Sequence, residues 1–298
     1  MDENKKQEHK KNKTSLKLFK FCLILSLVII ICIICGIIIK PIQMIKSLFQ
    51  NNIQSKFNVS YGDDKNQKYD FYAPEDESDM LLIIVHGGGW VLGDKIQFSQ
   101  AADFFSKYNI SVINMNYRLA PDWKYDSPLQ DISIVLKEID SNKKDFNLND
   151  DYKIVLLGHS AGAHLVSLYS LNEQDYGTKN IDYCIGLAGP YDLTKIYEDK
   201  DKQLIEEALN SFLDGTSPED VSPVYQITNG EQTKFLLMIG NEDELVSADQ
   251  MYSFEKALKD TNTYIEAYVI AGRNHNSLIN QIQTKDGVAV QIFEFVGK

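Results

Sequence analysis

Cysteine is scarce where chemistry could use it. Of the four cysteines, Cys22, Cys32 and Cys35 share one uncharged run, and Cys184 stands alone within a later apolar stretch. That leaves no disulfide for the rest of the chain and implies no cysteine nucleophile. Basic residues are in deficit as well: 30 Lys and Arg against 42 Asp and Glu give a net charge of −12 over 298 residues. An acidic balance of this kind argues against nucleic acid as a partner. Internal repeats and low-complexity tracts are missing, so a solenoid or a linker array is not in view. Histidine is rare too, with five in the chain, and that scarcity later makes one assignment possible by elimination.

The first long hydrophobic run is Phe21 to Ile39, nineteen residues without a charge. As a helix it spans about 28 Å, close to the hydrocarbon thickness of a bilayer. Before it, residues 1–20 carry seven lysines (Lys5, Lys6, Lys10, Lys11, Lys13, Lys17 and Lys20) against Asp2, Glu3 and Glu8. A cleaved signal peptide would have a shorter apolar region and a small-x-small exit, which Gly36-Ile37-Ile38-Ile39-Lys40-Pro41 does not offer. Lipid attachment at Cys35 would want a small residue where Ile34 stands. The expectation is an uncleaved single-span anchor over 21–39, preceded by a cytoplasmic tail over 1–20 and followed by a linker over 40–56. Lysine asymmetry keeps the amino end in the cytoplasm and puts residues 57–298 outside the membrane. Residues 1–46 carry +6, which leaves −18 on residues 47–298. Such a body suits a position near a membrane better than one lying on anionic lipid.

Beyond the linker, apolar runs and helical periods alternate. Phe57–Tyr61 and Lys68–Tyr72, separated by Gly62-Asp63-Asp64-Lys65-Asn66, read as a hairpin. Strands are expected at 80–85, 111–115, 153–157, 182–187, 234–239 and 263–270. Helices are expected at 101–108, 127–139, 163–171, 203–212, 247–258 and 281–295. Continuous apolar runs such as Met80 to Val85 mark strands buried on both faces. The alternation predicts an α/β architecture with a mostly parallel sheet covered by helices on both faces. Residues 191–233 break the rhythm, being more than a crossover needs. A partial lid and a decorated surface crossover both fit them.

Two motifs carry the chemistry. Gly158-His159-Ser160-Ala161-Gly162 lies between an apolar strand and an apolar helix. There, a tight turn lifts the serine oxygen clear of the sheet while the glycines let neighbouring backbones approach. Earlier, strand 80–85 runs straight into His86-Gly87-Gly88-Gly89-Trp90. Three glycines at a strand end can aim main-chain N–H groups at one point, where an oxyanion would form as serine attacks a carbonyl.

A serine hydroxyl needs a base, and the base needs an orienting acid. His9 falls in the tail, His86 and His159 belong to the two motifs, and His164 sits one helical turn after Ser160 on a core-facing helix. His275, in the loop after the last strand, is left as the base, at the edge of the sheet where ligands meet such folds. Asp243, following strand 234–239, is favoured as the acid in the chain order Ser, Asp, His. Asp192, which also follows a strand, is its main rival, and Glu242 and Glu244 share the Asp243 loop.

Taken together, these residues resemble the α/β-hydrolase carboxylesterases that carry an H-G-G-G motif, the group around hormone-sensitive lipase, in its feruloyl-esterase-like and arylformamidase-like branch. The matching stretches are Tyr69 to Pro74, His86 to Trp90, Asn116 to Pro121, Gly158 to Gly162, Ser222-Pro223, Gly240 to Asp243 and His275. The resemblance implies a triad of Ser160, Asp243 and His275, and an oxyanion hole of Gly87, Gly88 and the Ala161 amide. It also implies a scaffold role for Arg118, paired with Asp131. Relatives often carry a helical cap ahead of the first strand, where this chain has its apolar anchor segment. The expected activity is hydrolysis of small-molecule carboxylic esters, with short acyl groups first, through an acyl-enzyme on Ser160 and without metal or organic cofactor. An amidase, formamidase or peptidase on the same fold is the nearest alternative, and a non-catalytic binding module the more distant one.

Overall fold

The computed structural model of the protein describes residues 53–198, 203–280, 282 and 287–298. The expected anchor over 21–39, its lysine-rich tail and most of the linker lie outside the described residues. Among the described residues, no helix is long and apolar enough to cross a membrane.

Strands β1 (Lys56–Ser60), β2 (Lys68–Tyr72), β3 (Ser78–Val85), β4 (Ser111–Met115), β5 (Leu148–His159), β6 (Tyr183–Leu187), β7 (Lys234–Gly240) and β8 (Ile265–Ile270) form one sheet in the order β1-β2-β4-β3-β5-β6-β7-β8. The hairpin strands pair antiparallel, β1 on β2 and β2 on β4. From β4 across to β8 every neighbour is parallel. Consecutive residues of β4 and β6, and nearly all of β3 and β7, are buried. Because side chains alternate between faces, burial of consecutive residues means that both faces are covered.

The covering helices are α1 (Ser99–Ser106), α2 (Asp126–Ser141), α3 (Ala161–Leu171), α4 (Gln203–Leu213), α5 (Ala248–Asp260) and α6 (Gly287–Val296). Phe104 and Phe105 of α1 meet Phe293 of α6 at centroid distances of 5.9 and 5.6 Å. Phe254 of α5 stacks on Tyr191 at 4.7 Å. Every residue of α3 is buried, so this helix is held from all sides. Arg118 has the implied partner: its Nε and backbone N–H both donate to the fully buried Asp131, at 2.9 and 2.8 Å.

Several boundaries differ from the sequence reading. β5 begins at Leu148, not 153, because Leu148 pairs with Ser78 although the intervening residues are polar. α3 starts at Ala161, directly after the serine. The last helix, expected over 281–295, is described over Gly287–Val296, and a separate short helix covers Ser277–Asn280.

Parallel pairing has a direct consequence for the site. The loops after β3, β5, β7 and β8 all leave the same edge of the sheet, and they carry Gly87, Ser160, Asp243 and His275 respectively.

Candidate active site

Ser160 occupies the corner between β5 and α3 with φ 54° and ψ −122°. A serine in that conformation is strained by roughly 1–3 kcal/mol and persists only where its surroundings impose it. Here the Ser160 N–H donates to the Leu187 carbonyl at 2.8 Å, and its own carbonyl accepts from His164 N at 3.1 Å. Both motif glycines are steric necessities. A Cβ on Gly158 would lie 2.2 Å from the Gly162 carbonyl oxygen, and one on Gly162 would lie 2.2 Å from that of Val85. The corner therefore closes only if β3, β5 and α3 come within backbone contact.

The glycine run lies against this corner. A Cβ on Gly87 would stand 3.1 Å from the Ser160 Cβ, and Gly88 has φ +123° with no room for a side chain beside the Leu92 carbonyl. Several acceptors of the run are already engaged. The Tyr117 hydroxyl donates to the His86 carbonyl at 3.0 Å, His86 Nδ1–H donates to that of Gly87 at 2.7 Å, and Leu92 N donates to that of Gly88 at 3.0 Å. Burial holds His86 neutral, lowering its pKa to about 4. The carbonyls of His86, Gly87 and Gly88 are thus each tied to a donor within the protein.

His275 Nδ1–H donates to Asp243 Oδ2 at 2.8 Å. Asp243 Oδ1 accepts from the backbone of Leu245 and Val246, each at 2.9 Å. Burial by itself would raise the Asp243 carboxyl; the His275 bond and those two amides outweigh it and hold the group below the ordinary carboxylate range. The rival Asp192 is engaged elsewhere, with Lys195 at 3.0 Å and Thr194 Oγ1 at 2.5 Å. The structure thus brings Asp243 to the histidine and leaves Asp192 in a separate cluster.

A cavity of about 840 Å³ opens onto Gly87, Gly88, Ser160, Ala161 and His275 together, and Ile196, Ile205, Leu245 and Ile279 contribute apolar wall. The segment 191–233, left open between lid and crossover, supplies Ile196 and Ile205 to that wall. Among the described residues no His, Cys, Asp or Glu cluster is placed to hold a metal ion.

Two residues to which the sequence reading gave no role in the chemistry touch the site directly. His159 Nε2–H donates to the main-chain oxygen of His275 at 2.8 Å, and the two rings lie 4.7 Å apart. Burial, reinforced by the neighbouring His275, lowers the His159 pKa to about 3, so it works as a neutral donor. Trp90 forms part of the cavity wall. His164 is, as expected, a buried and hydrogen-bonded interior histidine.

The fold and the site define an α/β-hydrolase. The BD-FAE family model matches residues 69–258, and the chain belongs to that family. It is similar to the isoprenylcysteine alpha-carbonyl methylesterase ICME of Arabidopsis thaliana, 24% identical over 254 residues that cover 78% of this chain and 59% of that one. A kynurenine formamidase of Meyerozyma guilliermondii is 28% identical over 207 residues, 64% of this chain and 76% of that one. The chain spans 53–59% of the length of the two methylesterase relatives that head the comparison. Among solved structures, a truncated carbohydrate esterase from gut microbiota superposes with a TM-score of 0.71 at 17% identity, covering 83% of this chain and 97% of that one. A propionate-bound esterase from Thermogutta terrifontis gives 0.64 at 21% identity, covering 83% and 93%. At these identities the structural matches speak for the fold alone.

Proposed function

We propose that the protein is a serine hydrolase of carboxylic esters. The observation that carries the reading is the His275–Asp243 bond at 2.8 Å, on a ring that shares a cavity with Ser160 and the glycine run. With Nδ1–H given to Asp243, Nε2 of the neutral ring is the acceptor for the serine proton. Ser160 Oγ adds to the acyl carbonyl as its proton passes to His275. The carbonyl electrons move onto oxygen, which the N–H groups of Gly87, Gly88 and Ala161 receive; Ala161 heads α3, where main-chain donors lack helical acceptors. Collapse breaks the ester C–O bond, and His275 returns the proton to the leaving alcohol. Water then repeats the sequence on the acyl-serine, releasing the acid and restoring the hydroxyl.

The acyl group is proposed to be short, an acetyl or similar, with the remaining cavity available to a larger alcohol. A formamidase is the second reading, favoured by the Meyerozyma relative. Comparing turnover of p-nitrophenyl acetate, p-nitrophenyl octanoate and an N-formyl anilide separates these readings. Ester turnover abolished in Ser160→Ala supports the first, and faster formanilide cleavage than ester cleavage would replace it with the second.

The same proposal places the enzyme at a membrane, anchored through 21–39 with the catalytic domain on the outer side. The nineteen uncharged residues behind seven lysines support this reading. Retention in the membrane pellet after alkaline carbonate, and digestion of the domain by protease added outside intact cells, are the expected results. Release into the supernatant would contradict it.

A further inference from the structure

His164 is a fully buried histidine that the mechanism above leaves unused. Resting on that mechanism, we propose that His164 is a positioning residue: it fixes the oxyanion glycines by tying Trp90, the residue after Gly87–Gly89, to Val221, and so makes 203–226 a fixed wall of the site and not a moving lid.

The tie is chemically one-way. The Trp90 indole N–H can only donate and the Val221 carbonyl can only accept. His164 stands between them, with Nδ1 3.1 Å from Trp90 Nε1 and Nε2 2.7 Å from the Val221 oxygen. Only the neutral imidazole with its hydrogen on Nε2 satisfies both neighbours, because a second hydrogen on Nδ1 would face the indole N–H. Burial keeps the ring in that state, with a pKa lowered to about 4.

Packing reinforces the tie. Phe212 of α4 stacks on the Trp90 ring at 5.0 Å and meets His164 edge-on at 5.7 Å. A Cβ on Gly89 would make ordinary contact with Ala208 of the same helix, at 3.7 Å. Trp90 itself has φ +62°, a conformation that a bulky residue adopts only when held. Its carbonyl accepts from Ala120 N at 3.1 Å, and the indole is held by His164. The His164 side chain thus joins the oxyanion loop to the 203–226 segment, while its backbone N–H separately bonds the Ser160 carbonyl in the nucleophile helix.

The test uses the full-length chain and steady-state hydrolysis of p-nitrophenyl acetate. His164→Phe keeps the ring shape and loses both bonds; His164→Gln offers an acceptor and a donor at a spacing similar to the imidazole's. Trp90→Phe removes only the indole donor and the outer ring, and carries the test if His164→Phe does not fold. The expected result is a kcat about tenfold lower in His164→Phe and Trp90→Phe with KM within about twofold, and recovery of most of the rate in His164→Gln. A folded His164→Phe or Trp90→Phe with kcat within twofold of the parent would overturn the proposal. So would an equal loss in Phe and Gln variants, or a loss confined to KM. Ser160→Ala in the same assay separates the two levels. If it retains turnover, the serine reading fails and takes this inference with it; if it is inactive and the Phe variants are unimpaired, only the role of His164 falls.

Discussion

His159 Nε2 donates to the main-chain oxygen of His275 at 2.8 Å across 116 positions of sequence. The residue before the proposed nucleophile thus holds the backbone of the proposed base, while Asp243 holds its ring. The base is fixed at two points, and each can be removed separately. Replacing His159 by Phe keeps an aromatic ring beside His275 and deletes the donor. A kcat lower by about 3- to 30-fold with KM little changed is expected, from the loss of alignment of one group. A parallel rise in KM would assign His159 to substrate binding instead.

The second point is the carboxylate. Asp243→Asn should leave the fold intact and lower kcat by about 10³–10⁴-fold, because the amide favours the wrong imidazole tautomer. Asp192→Asn should keep kcat within about threefold, since Asp192 bonds Lys195 and Thr194 and not His275. Steady-state kinetics on the two variants decide between the aspartates; the reverse ranking would reassign the acid.

Acid should destabilise the domain through its buried histidines. Burial lowers His86 and His164 to about 4 and His159 to about 3, against an ordinary value of about 6.5. For a lowered pKa the unfolded chain binds the extra proton, so the stability is present above about pH 6.5 and is lost as pH falls toward the folded values. Each group contributes a slope of up to about 1.4 kcal/mol per pH unit in that window. Asp243, also lowered, adds its own loss further down, below the ordinary carboxylate value of about 4. Urea unfolding from pH 7 to pH 4 should show a steady loss of stability. His164→Gln should flatten that dependence; an unchanged slope would contradict the neutral state assigned to His164.

The elbow glycines should be the least tolerant positions. Gly162→Ala would put a Cβ 2.2 Å from the Val85 carbonyl oxygen, and neither backbone can yield without parting β3 from α3. A loss of several kcal/mol is expected, on the order of the largest single-site effects, read as insolubility or a strongly lowered Tm. Gly177→Ala makes a control: no atom lies within 4 Å of its added Cβ, although its positive φ costs about 1 kcal/mol.

Much of the site was legible in the sequence because each motif is a local solution to a local constraint. A strand that must turn sharply into a helix needs Gly158 and Gly162, and the crowded backbone beside Ser160 and Leu92 leaves no room for side chains at Gly87 and Gly88; both leave a signature in consecutive residues. Asp243 and His275 could be read because strand ends in a parallel sheet converge on one edge. His159, Trp90 and His164 could not be read in the same way. Their partners are a carbonyl on a distant loop, a second side chain 74 positions away and another distant carbonyl, and a carbonyl acceptor belongs to every residue type. The early start of β5 was hidden for a related reason. Its residues 149–151 are polar, and the backbone ladder with β3, not any apolar pattern, makes that end a strand.

The most direct test of the account is to treat the full-length protein with a fluorophosphonate and locate the adduct by peptide mass spectrometry. The account predicts one phosphonyl group on Ser160, formed rapidly in the parent protein and at least 100-fold more slowly, by about the loss expected from removing the base, in His275→Ala. A folded parent that remains unlabelled, or a label on another residue, would contradict it.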